Sequence, residues 1–439
     1  MVPQSKPWGI HVADDIRPDR AETIESVADG RHRPRCGEFL RRTARHRPEA
    51  LAYLAFGVTA YILFRVSGLD SHITWAHSAA IGYGTAAGLS MMPASMRVPR
   101  VRLARVAAVT GAVLVPFVTL LTGHHQMQDE IAVVSRSGNL LLTHGIPYVH
   151  DATSVTDVNP YLPVMAVFGL PAAVLTRSGL DPQSAWQIVG DPRIWCAAIA
   201  IAGIWGSIRL LRVDSRSASH VAVLLIASPT IALEMCASGV DLPLAGLLLF
   251  GLAAVATRRP RMGAIAIAAA VAIKWVALLS VPIVIALLVT RFPRAVTLRF
   301  AGWFATATAV FGLPAFLSVS DTIAQVLEFP TGRGPIPTPA HSPMPGVLLA
   351  SFGSAGRNAD MILLVACAII LAVCVLRRPP RSFSSAATFT AAGFTCFFLL
   401  APVGRFGYLL VPMMLFGVAF IAQRSAASRQ LTTAGVTMP

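Results

Sequence analysis

Residues 264–288 read AIAIAAAVAIKWVALLSVPIVIALL, and Lys274 is the only charged side chain in this stretch. Roughly 20 consecutive, mostly apolar residues are enough to cross the hydrocarbon core of a membrane as a helix. The whole run, 262–291, is too long for one straight span, and it carries Lys274 near its middle and Pro282 after it. We therefore expect two short helices that meet near Lys274 and form a hairpin.

The composition of the whole chain also indicates a membrane protein. Its 439 residues are 55% hydrophobic and only 13% charged, whereas soluble domains carry about 25% charged residues. This excludes an ordinary soluble enzyme, a disordered chain and a small disulfide scaffold. Taken alone, the net charge of +15 would suggest that the protein binds nucleic acid. Arginine in cytoplasmic loops gives the same excess in a polytopic membrane protein, so we expect no nucleic-acid partner.

The chain lacks the motifs of several common sites. Its six cysteines form no CxxC pair and no metal-ligand spacing, which favours small buried side chains over a metal centre. There is also no P-loop, no GxGxxG and no HExxH. The sequence therefore predicts no metal and no cofactor, and it argues against ATP or a nucleotide sugar as a direct substrate.

Further apolar runs of membrane-spanning length follow one another along the chain. They are residues 50–68, 73–93, 104–122, 190–211, 218–236, 240–257, 299–319, 359–377, 384–401 and 406–423. Arginine clusters separate them, and arginine is enriched in cytoplasmic loops. All clusters fall on one side if 262–291 is a hairpin and 161–177 is a re-entrant or interfacial helix. This predicts about 12 spans in the plasma membrane, with both termini cytoplasmic.

In this topology two long loops, about 123–189 and 320–358, lie on the outer face, and long structured loops often carry function. The first places Asp129 and Glu130 before an apolar pattern typical of an amphipathic helix. Such a helix would hold Asp129 at the membrane–water boundary, where a carboxylate can take a proton from a sugar hydroxyl. Asp129 is the preferred base and Glu130 the alternative; a solvated acidic loop is the other interpretation.

Four basic residues are candidates for binding a phosphate. An ionisable residue inside an apolar run is costly and indicates function, so Lys274 is the first candidate, with a snorkelling lysine as the alternative. Arg405 follows on the outer side and can grip a phosphate with two hydrogen bonds, or it can anchor the helix at the interface. The second long loop adds Arg333 and His341, although a lone loop histidine is often a bystander.

A tight outer turn in the sequence EMCASGVDLP places Glu234 and Asp241 close together. Their carboxylates are candidates for accepting hydrogen bonds from sugar hydroxyls. The alternative for Asp241 is capping of the helix that follows it.

The order of these motifs resembles a known family. The residues that carry the resemblance are Asp129; Leu141, Leu142, Gly145, Pro147 and Tyr148; Asn159, Pro160, Tyr161, Leu162 and Pro163; Lys274; and Pro402, Arg405 and Tyr408. This order is similar to that of the integral-membrane glycosyltransferases of the C superfamily, specifically the family 87 type, which includes mannosyltransferases that use polyprenyl-phosphate mannose. The tyrosine that follows the acid in the family pattern is absent here.

The resemblance implies an all-α bundle of the GT-C type that transfers a sugar with inversion on the outer membrane face. The donor would be a polyprenyl-phosphate sugar, with mannose expected and arabinose second. The acceptor would be an envelope glycolipid or lipoglycan. Membrane lipid would be a further partner of the chain. Tyr148, Tyr161 and Tyr408 would line the sugar and acceptor sites.

The resemblance also divides the chain. It covers 104–423, the glycosyltransferase-like transmembrane domain. Outside it lie a cytoplasmic arm (1–48), an extra transmembrane hairpin (49–103) and a cytoplasmic tail (424–439). Two other functions stay open: a transporter or flippase for a lipid-linked substrate, and a non-catalytic scaffold related to such transferases.

Overall fold

The computed structural model describes residues 36–92, 99–123, 128–179, 186–213 and 215–433. Within these ranges the chain is helical and contains no strand, apart from an isolated parallel bridge between His341 and Gly404. Most of the predicted cytoplasmic arm and the end of the tail lie outside the described residues.

Within the described ranges, α-helices follow one another along the chain, with two long connections at 145–162 and 329–344. The first half of the chain forms α1 (Cys36–Val66), α2 (Asp70–Met91), α3 (Arg100–Val109), α4 (Val115–Thr122), α5 (Asp129–His144), α6 (Pro163–Ala166), α7 (Leu170–Arg177), α8 (Trp186–Gly190), α9 (Pro192–Leu211) and α10 (Ser215–Ile226). The second half forms α11 (Pro229–Ala237), α12 (Leu242–Ala256), α13 (Pro260–Val271), α14 (Val281–Arg291), α15 (Arg294–Phe316), α16 (Val319–Thr322), α17 (Pro345–Ala350), α18 (Gly353–Arg377), α19 (Phe383–Leu400) and α20 (Leu410–Thr433). Thr110–Leu114 and Ile323–Glu328 are π-helical, and Val167–Gly169, Trp275–Ser280 and Phe406–Leu409 are 3-10 segments.

Seven helical stretches among the described residues are long and apolar enough to cross a membrane. They are Pro48–Val66, Arg100–Thr122, Pro192–Leu211, Arg294–Phe316, Gly353–Arg377, Phe383–Leu400 and Phe406–Gln430. The pair α11 and α12, bent by 120° at the turn between them, makes an eighth if it counts as one span. The chain is therefore an all-α, multi-pass membrane protein, as its composition predicts.

Other apolar runs form shorter helices because the backbone is broken within them. The predicted span 218–236 is divided between α10 and α11, since Ser228 and Pro229 interrupt it. A turn with Gly239 at φ 74° then separates α11 from α12, a backbone conformation that glycine adopts without steric cost.

The break at Lys274 is present in the structure. Helix α13 ends at Val271, and Lys274 is extended (φ −149°, ψ 120°) before the next 3-10 segment begins. The carbonyls of Ala272 and Ile273, left free at the helix end, accept hydrogen bonds from the backbone N–H groups of Val164 (3.0 Å) and Leu162 (2.9 Å). The prediction of two short helices meeting near Lys274 is confirmed, and segment 161–177 docks on this break.

The amphipathic helix predicted after Asp129 is α5, so that prediction is confirmed. Its buried face is formed by Ile131, Val133, Val134, Ser137 and Gly138. It ends at Gly145, whose φ of 74° and N–H bond to the Leu141 carbonyl (3.1 Å) close the last turn. Gly145, one of the residues that carry the family resemblance, thus ends the helix.

The first two helices pack against the rest of the chain. The Nε1 atom of Trp75 donates to the Ala112 carbonyl at 2.8 Å, and the Tyr83 hydroxyl donates to the Ala227 carbonyl. In the first turn of α2, the side chain of His72 is hydrogen-bonded to that of Gln128 at 2.7 Å. The N-terminal hairpin therefore contacts the residue directly before α5.

Candidate active site

A cavity of about 1020 Å³ lies where α5, the break at Lys274, the second long loop, α18 and the turn before α20 meet. Its charged lining residues are Asp129, Glu130, Lys274, Arg333, Arg357, Asp360 and Arg405. Three of the residues expected to share a site, Asp129, Lys274 and Arg405, line this one cavity although they are distant in sequence. Tyr161, Tyr408 and Arg333 line it as well.

One wall of the cavity is an apolar face of α18. Met361, Leu364, Val365 and Ala368 line it at helical spacing, and Phe397 and Phe398 of α19 also line the cavity. From Arg357 to Ala368 this face extends about 16 Å along the helix axis, at 1.5 Å per residue. The cavity thus has a charged end and an apolar groove, a shape suited to a ligand with a polar head and a hydrocarbon chain.

The two acids at the start of α5 have different partners. Glu130 forms an ion pair with Arg405, and both side chains are partly buried. Asp129 is exposed, and it makes no ion pair or hydrogen bond with any residue that the structure describes. Because Glu130 is already held by a cation, Asp129 is the carboxylate that is free to act on a ligand.

Lys274 is held by a carboxylate and by an aromatic ring. Its Nζ atom donates to Oδ1 of Asp241 at 3.0 Å and lies 4.1 Å from the ring centroid of Tyr408 and 5.8 Å from that of Tyr161. The side chain is 14% exposed and lines the cavity. An ammonium group has three N–H donors, so donors remain for a ligand beside Asp241.

The sequence leaves two roles open for Asp241, and the structure adds a third. Its carboxylate makes no capping bond to α12 but bonds Lys274 instead, and the residue is 4% exposed. Glu234 lies behind the site against the backbone of Gly407, where a Cβ atom would collide with its carboxylate. Neither acid is part of the cavity wall.

Backbone pairing with the second long loop positions Arg405. The N–H of Ser342 donates to the Gly404 carbonyl, and the N–H of Gly404 donates to the Ala340 carbonyl, both at 3.0 Å. These bonds form the bridge between His341 and Gly404. The His341 side chain is exposed and lies outside the cavity wall. Its backbone, rather than its ring, therefore places Arg405 beside Glu130.

The second long loop also docks on the first through Gln325. Its Oε1 accepts the backbone N–H of Asn159 (2.9 Å), and its Nε2 donates to the carbonyl of Val149 (2.6 Å). Gln325 is buried, at 3% exposed, so both bonds lie away from water and are costly to lose. This contact fixes the two loops that frame the cavity.

Tyr148 stabilises the same loop from inside. Its hydroxyl donates to the Tyr161 carbonyl at 3.2 Å, and the residue is 2% exposed. Burial raises the pKa of Tyr148 above its ordinary value because the phenolate would be desolvated. Tyr148 is therefore a neutral donor that supports Tyr161, and it does not reach the cavity wall.

Sequence reasoning missed three polar residues of the cavity, Arg357, Asn358 and Asp360. They lie in the first turns of α18, at the start of the apolar run that predicts a membrane span, so the pattern identifies them only as the end of that span. The signal that could have found them is spacing, because Arg357, Asp360 and Leu364 recur on one helical face. Arg357 and Arg333 are exposed and have no ion-pair partner among the described residues.

No group of three or more His, Cys, Asp or Glu side chains suitable for a metal ion occurs within the residues that the structure describes. Comparison of the chain with models of protein families, with curated proteins and with solved structures gave no match in any of the three.

Proposed function

We propose that this protein is an inverting glycosyltransferase that moves a sugar from a polyprenyl-phosphate donor to an envelope glycolipid or lipoglycan. Mannose is the sugar expected and arabinose the second choice. The observation that carries the proposal is the cavity itself, because one space joins a free carboxylate, several cations and an apolar groove. A lipid-linked sugar phosphate needs these three features together.

The groove along α18 suits the hydrocarbon chain of the donor. Burial of each CH₂ group contributes about 0.8 kcal/mol, so a chain lying on Met361, Leu364, Val365 and Ala368 gains affinity without any polar contact. The donor phosphate would then lie at the charged end, near Arg357 and Arg333, which have no carboxylate partner among the described residues. Lys274 and Arg405 line the same cavity and add further positive charge.

In the proposed reaction Asp129 takes the proton of an acceptor hydroxyl. The acceptor oxygen attacks the anomeric carbon of the donor sugar from the face opposite the phosphate, and a new C–O bond forms. The bond from the anomeric carbon to the phosphate oxygen breaks, and the lipid phosphate leaves with the electron pair. Cations placed where this negative charge develops stabilise the transition state, which is the role we assign to Arg405, Lys274 and Arg333.

The ion pairs of the site fit this division of roles. Glu130 holds Arg405 in place, and Asp241 holds Lys274. Each cation is thus fixed before the donor arrives, and a positioned charge costs no reorganisation during the reaction. Tyr408 packs on the ammonium of Lys274 and limits its movement further.

The proposal includes a topology. We infer a GT-C-like bundle of about 12 spans in the plasma membrane, in which the shorter helices around Gly239 and Lys274 also enter the bilayer. Both termini would be cytoplasmic and the cavity would open on the outer face, because arginine clusters concentrate on the other side. Cysteine labelling at Arg177 and at Arg378 from either side of sealed vesicles tests this orientation.

The decisive experiment is transfer of the sugar in vitro. The purified protein is mixed with polyprenyl-phosphate mannose and an envelope glycolipid fraction, and the labelled product is measured. We expect activity that Asp129→Asn abolishes and that Asp151→Asn retains, since Asp151 is exposed in the same loop and does not line the cavity. Equal activity of wild type, Asp129→Asn and Glu130→Gln would refute the assignment of the base.

The same preparation separates the two other functions. A transporter or flippase in sealed vesicles would move the lipid-linked sugar across the bilayer without forming a glycosylated product. A scaffold would bind the donor and neither move nor transfer the sugar. Either result would replace the transferase proposal.

A further inference from the structure

Asp360 is a buried carboxylate with an unused acceptor. It lies in the second turn of α18, is 1% exposed and lines the cavity. Its Oδ1 atom has no hydrogen-bond partner, and the side chain forms no ion pair with any residue that the structure describes. An ionised carboxylate buried without a partner is costly, so this arrangement needs an explanation.

Two other buried charged residues of the described structure have polar partners. Arg193, also 1% exposed, donates to both carboxylate oxygens of Asp191 and to the carbonyls of Cys236 and Leu120, with all these bonds between 2.7 and 3.2 Å. Asp321, 8% exposed, accepts from the Ser318 hydroxyl at 2.5 Å and lies 3.3 Å from His150. Asp360, which makes neither an ion pair nor a hydrogen bond among the described residues, differs from both.

We propose that Asp360 accepts a hydrogen bond from a hydroxyl of the donor sugar, and that it makes the cavity selective for a sugar-bearing lipid phosphate. This inference rests on the proposed function and names a further binding residue for it. An ionised carboxylate offers only acceptors, so its ligand must bring a donor, and a sugar hydroxyl does so. A phosphate carries the same sign of charge and would be repelled.

The place of Asp360 in the groove agrees with this role. Arg357 lies one turn nearer the loop, and Met361 and Leu364 continue the apolar wall. A hydroxyl bound at Asp360 would thus lie about one helical turn from Arg357, beside the cations that bind the phosphate next to the sugar. A buried group that needs a hydroxyl rejects ligands without one, because its acceptor then stays unpaired.

Binding measurements test the proposal without catalysis. Trp275 lines the cavity, so its fluorescence can report the titration of purified protein with polyprenyl-phosphate mannose and with bare polyprenyl phosphate. We expect Asp360→Ala to weaken binding of the sugar-bearing lipid about 10- to 100-fold, the loss expected for a hydrogen bond to a charged group. Its affinity for the bare lipid phosphate should not fall.

Further variants distinguish the possible outcomes of these binding measurements. Asp360→Asn keeps an acceptor oxygen and should lose less affinity than Asp360→Ala, whereas Arg405→Ala should weaken both lipids. If wild type binds both lipids and Asp360→Ala weakens them equally or not at all, the inference is wrong and the proposed function survives. If wild type binds neither lipid, the proposed function fails together with it.

Thermal stability without ligand gives a second, independent readout. Asp360→Leu removes an unpaired charge from an apolar surrounding. We therefore expect the Tm of this variant to be at least that of wild type, and higher by up to about 2 °C. A carboxylate with a structural role would give a lower Tm on the same substitution. That outcome would overturn the inference whatever the binding data show.

Discussion

The Nζ atom of Lys274 lies 3.0 Å from Oδ1 of Asp241, and the two residues occupy two interruptions of apolar helices. Lys274 follows α13 at the break before Trp275, and Asp241 ends the turn that follows α11. Each interruption exposes backbone polar groups that need partners. The ion pair joins both interruptions at the wall of the cavity, so a requirement of the fold also places a cation in the site.

Losing one partner of this ion pair should lower the free energy of unfolding more than losing both. Lys274→Met would leave Asp241 buried without its partner, and Asp241→Leu would do the same to Lys274. We expect each to destabilise the protein by about 2–4 kcal/mol, whereas Lys274→Met combined with Asp241→Leu should recover most of the loss. Thermal unfolding of the four proteins in one detergent measures the cycle, and strictly additive single effects would contradict the coupling.

The two acids at the start of α5 should give different kinetic defects. Asp129→Asn removes the proposed base and should lower kcat by at least about 100-fold, with little effect on the KM for the donor. Glu130→Gln frees Arg405 and should mainly raise that KM. Initial rates at varied donor concentration give both parameters, and a larger kcat loss in Glu130→Gln than in Asp129→Asn would exchange the two roles.

A control for these kinetic effects is available on the same loop. Arg177 is exposed at the end of α7 and does not line the cavity. Arg177→Ala should keep both kcat and KM, while Arg405→Ala should raise the KM for the donor. Equal effects of the two substitutions would show that the loss reflects general surface charge and not the site.

The sequence alone predicted the features of the molecule that depend on local pattern. Apolar length indicated a membrane protein, the spacing of Ile131 and Val134 indicated α5, and the lysine inside its run indicated the break at 274. These features follow from helical periodicity and from the cost of burying a charge. They need no knowledge of which segments meet in space.

The features that it could not predict depend on contacts between distant segments. The pairing of Glu130 with Arg405 joins residues separated by most of the chain, and that of Lys274 with Asp241 joins two different turns. The unpaired Oδ1 of Asp360 is likewise visible only in the packed structure, because no local pattern shows whether a carboxylate has a partner. Such contacts are set by tertiary structure, which local propensity does not encode.

The contact between the two long loops should respond to pH through His150. A hydrogen bond to Asp321, and the charge of Asp151 beside it, raise the pKa of His150 above its ordinary value. Its contribution to stability is then complete below the unfolded pKa of about 6.5, and it is lost as pH rises through the folded value. The Tm difference between wild type and His150→Gln should be larger at about pH 5.5 than at about pH 8.5, on either side of the unfolded value.

The size of this effect is limited by exposure. The His150 side chain is 75% exposed, so solvent and salt screen its interaction with Asp321. We therefore expect a small Tm difference that shrinks further in concentrated salt. A Tm difference that stays constant across this pH range would show that the histidine charge does not support this contact.

The position of Asp129 should also depend on a contact between backbone atoms further along α5. Gly138 of α5 touches the backbone of Gly169 so closely that a Cβ atom at either position would collide with the other segment. Gly138→Ala must therefore push α5 away from segment 161–177, and Asp129 at its first turn moves with it. We expect lower Tm and a loss of transfer activity of about tenfold or more, since small displacements of catalytic groups are costly.

Gly302→Ala is the matched control, because a Cβ there meets no atom within 4 Å and alanine stabilises a helix by about 0.5–1 kcal/mol relative to glycine. Measured side by side, equal Tm and activity in the two variants would show that the Gly138 contact does not position the site.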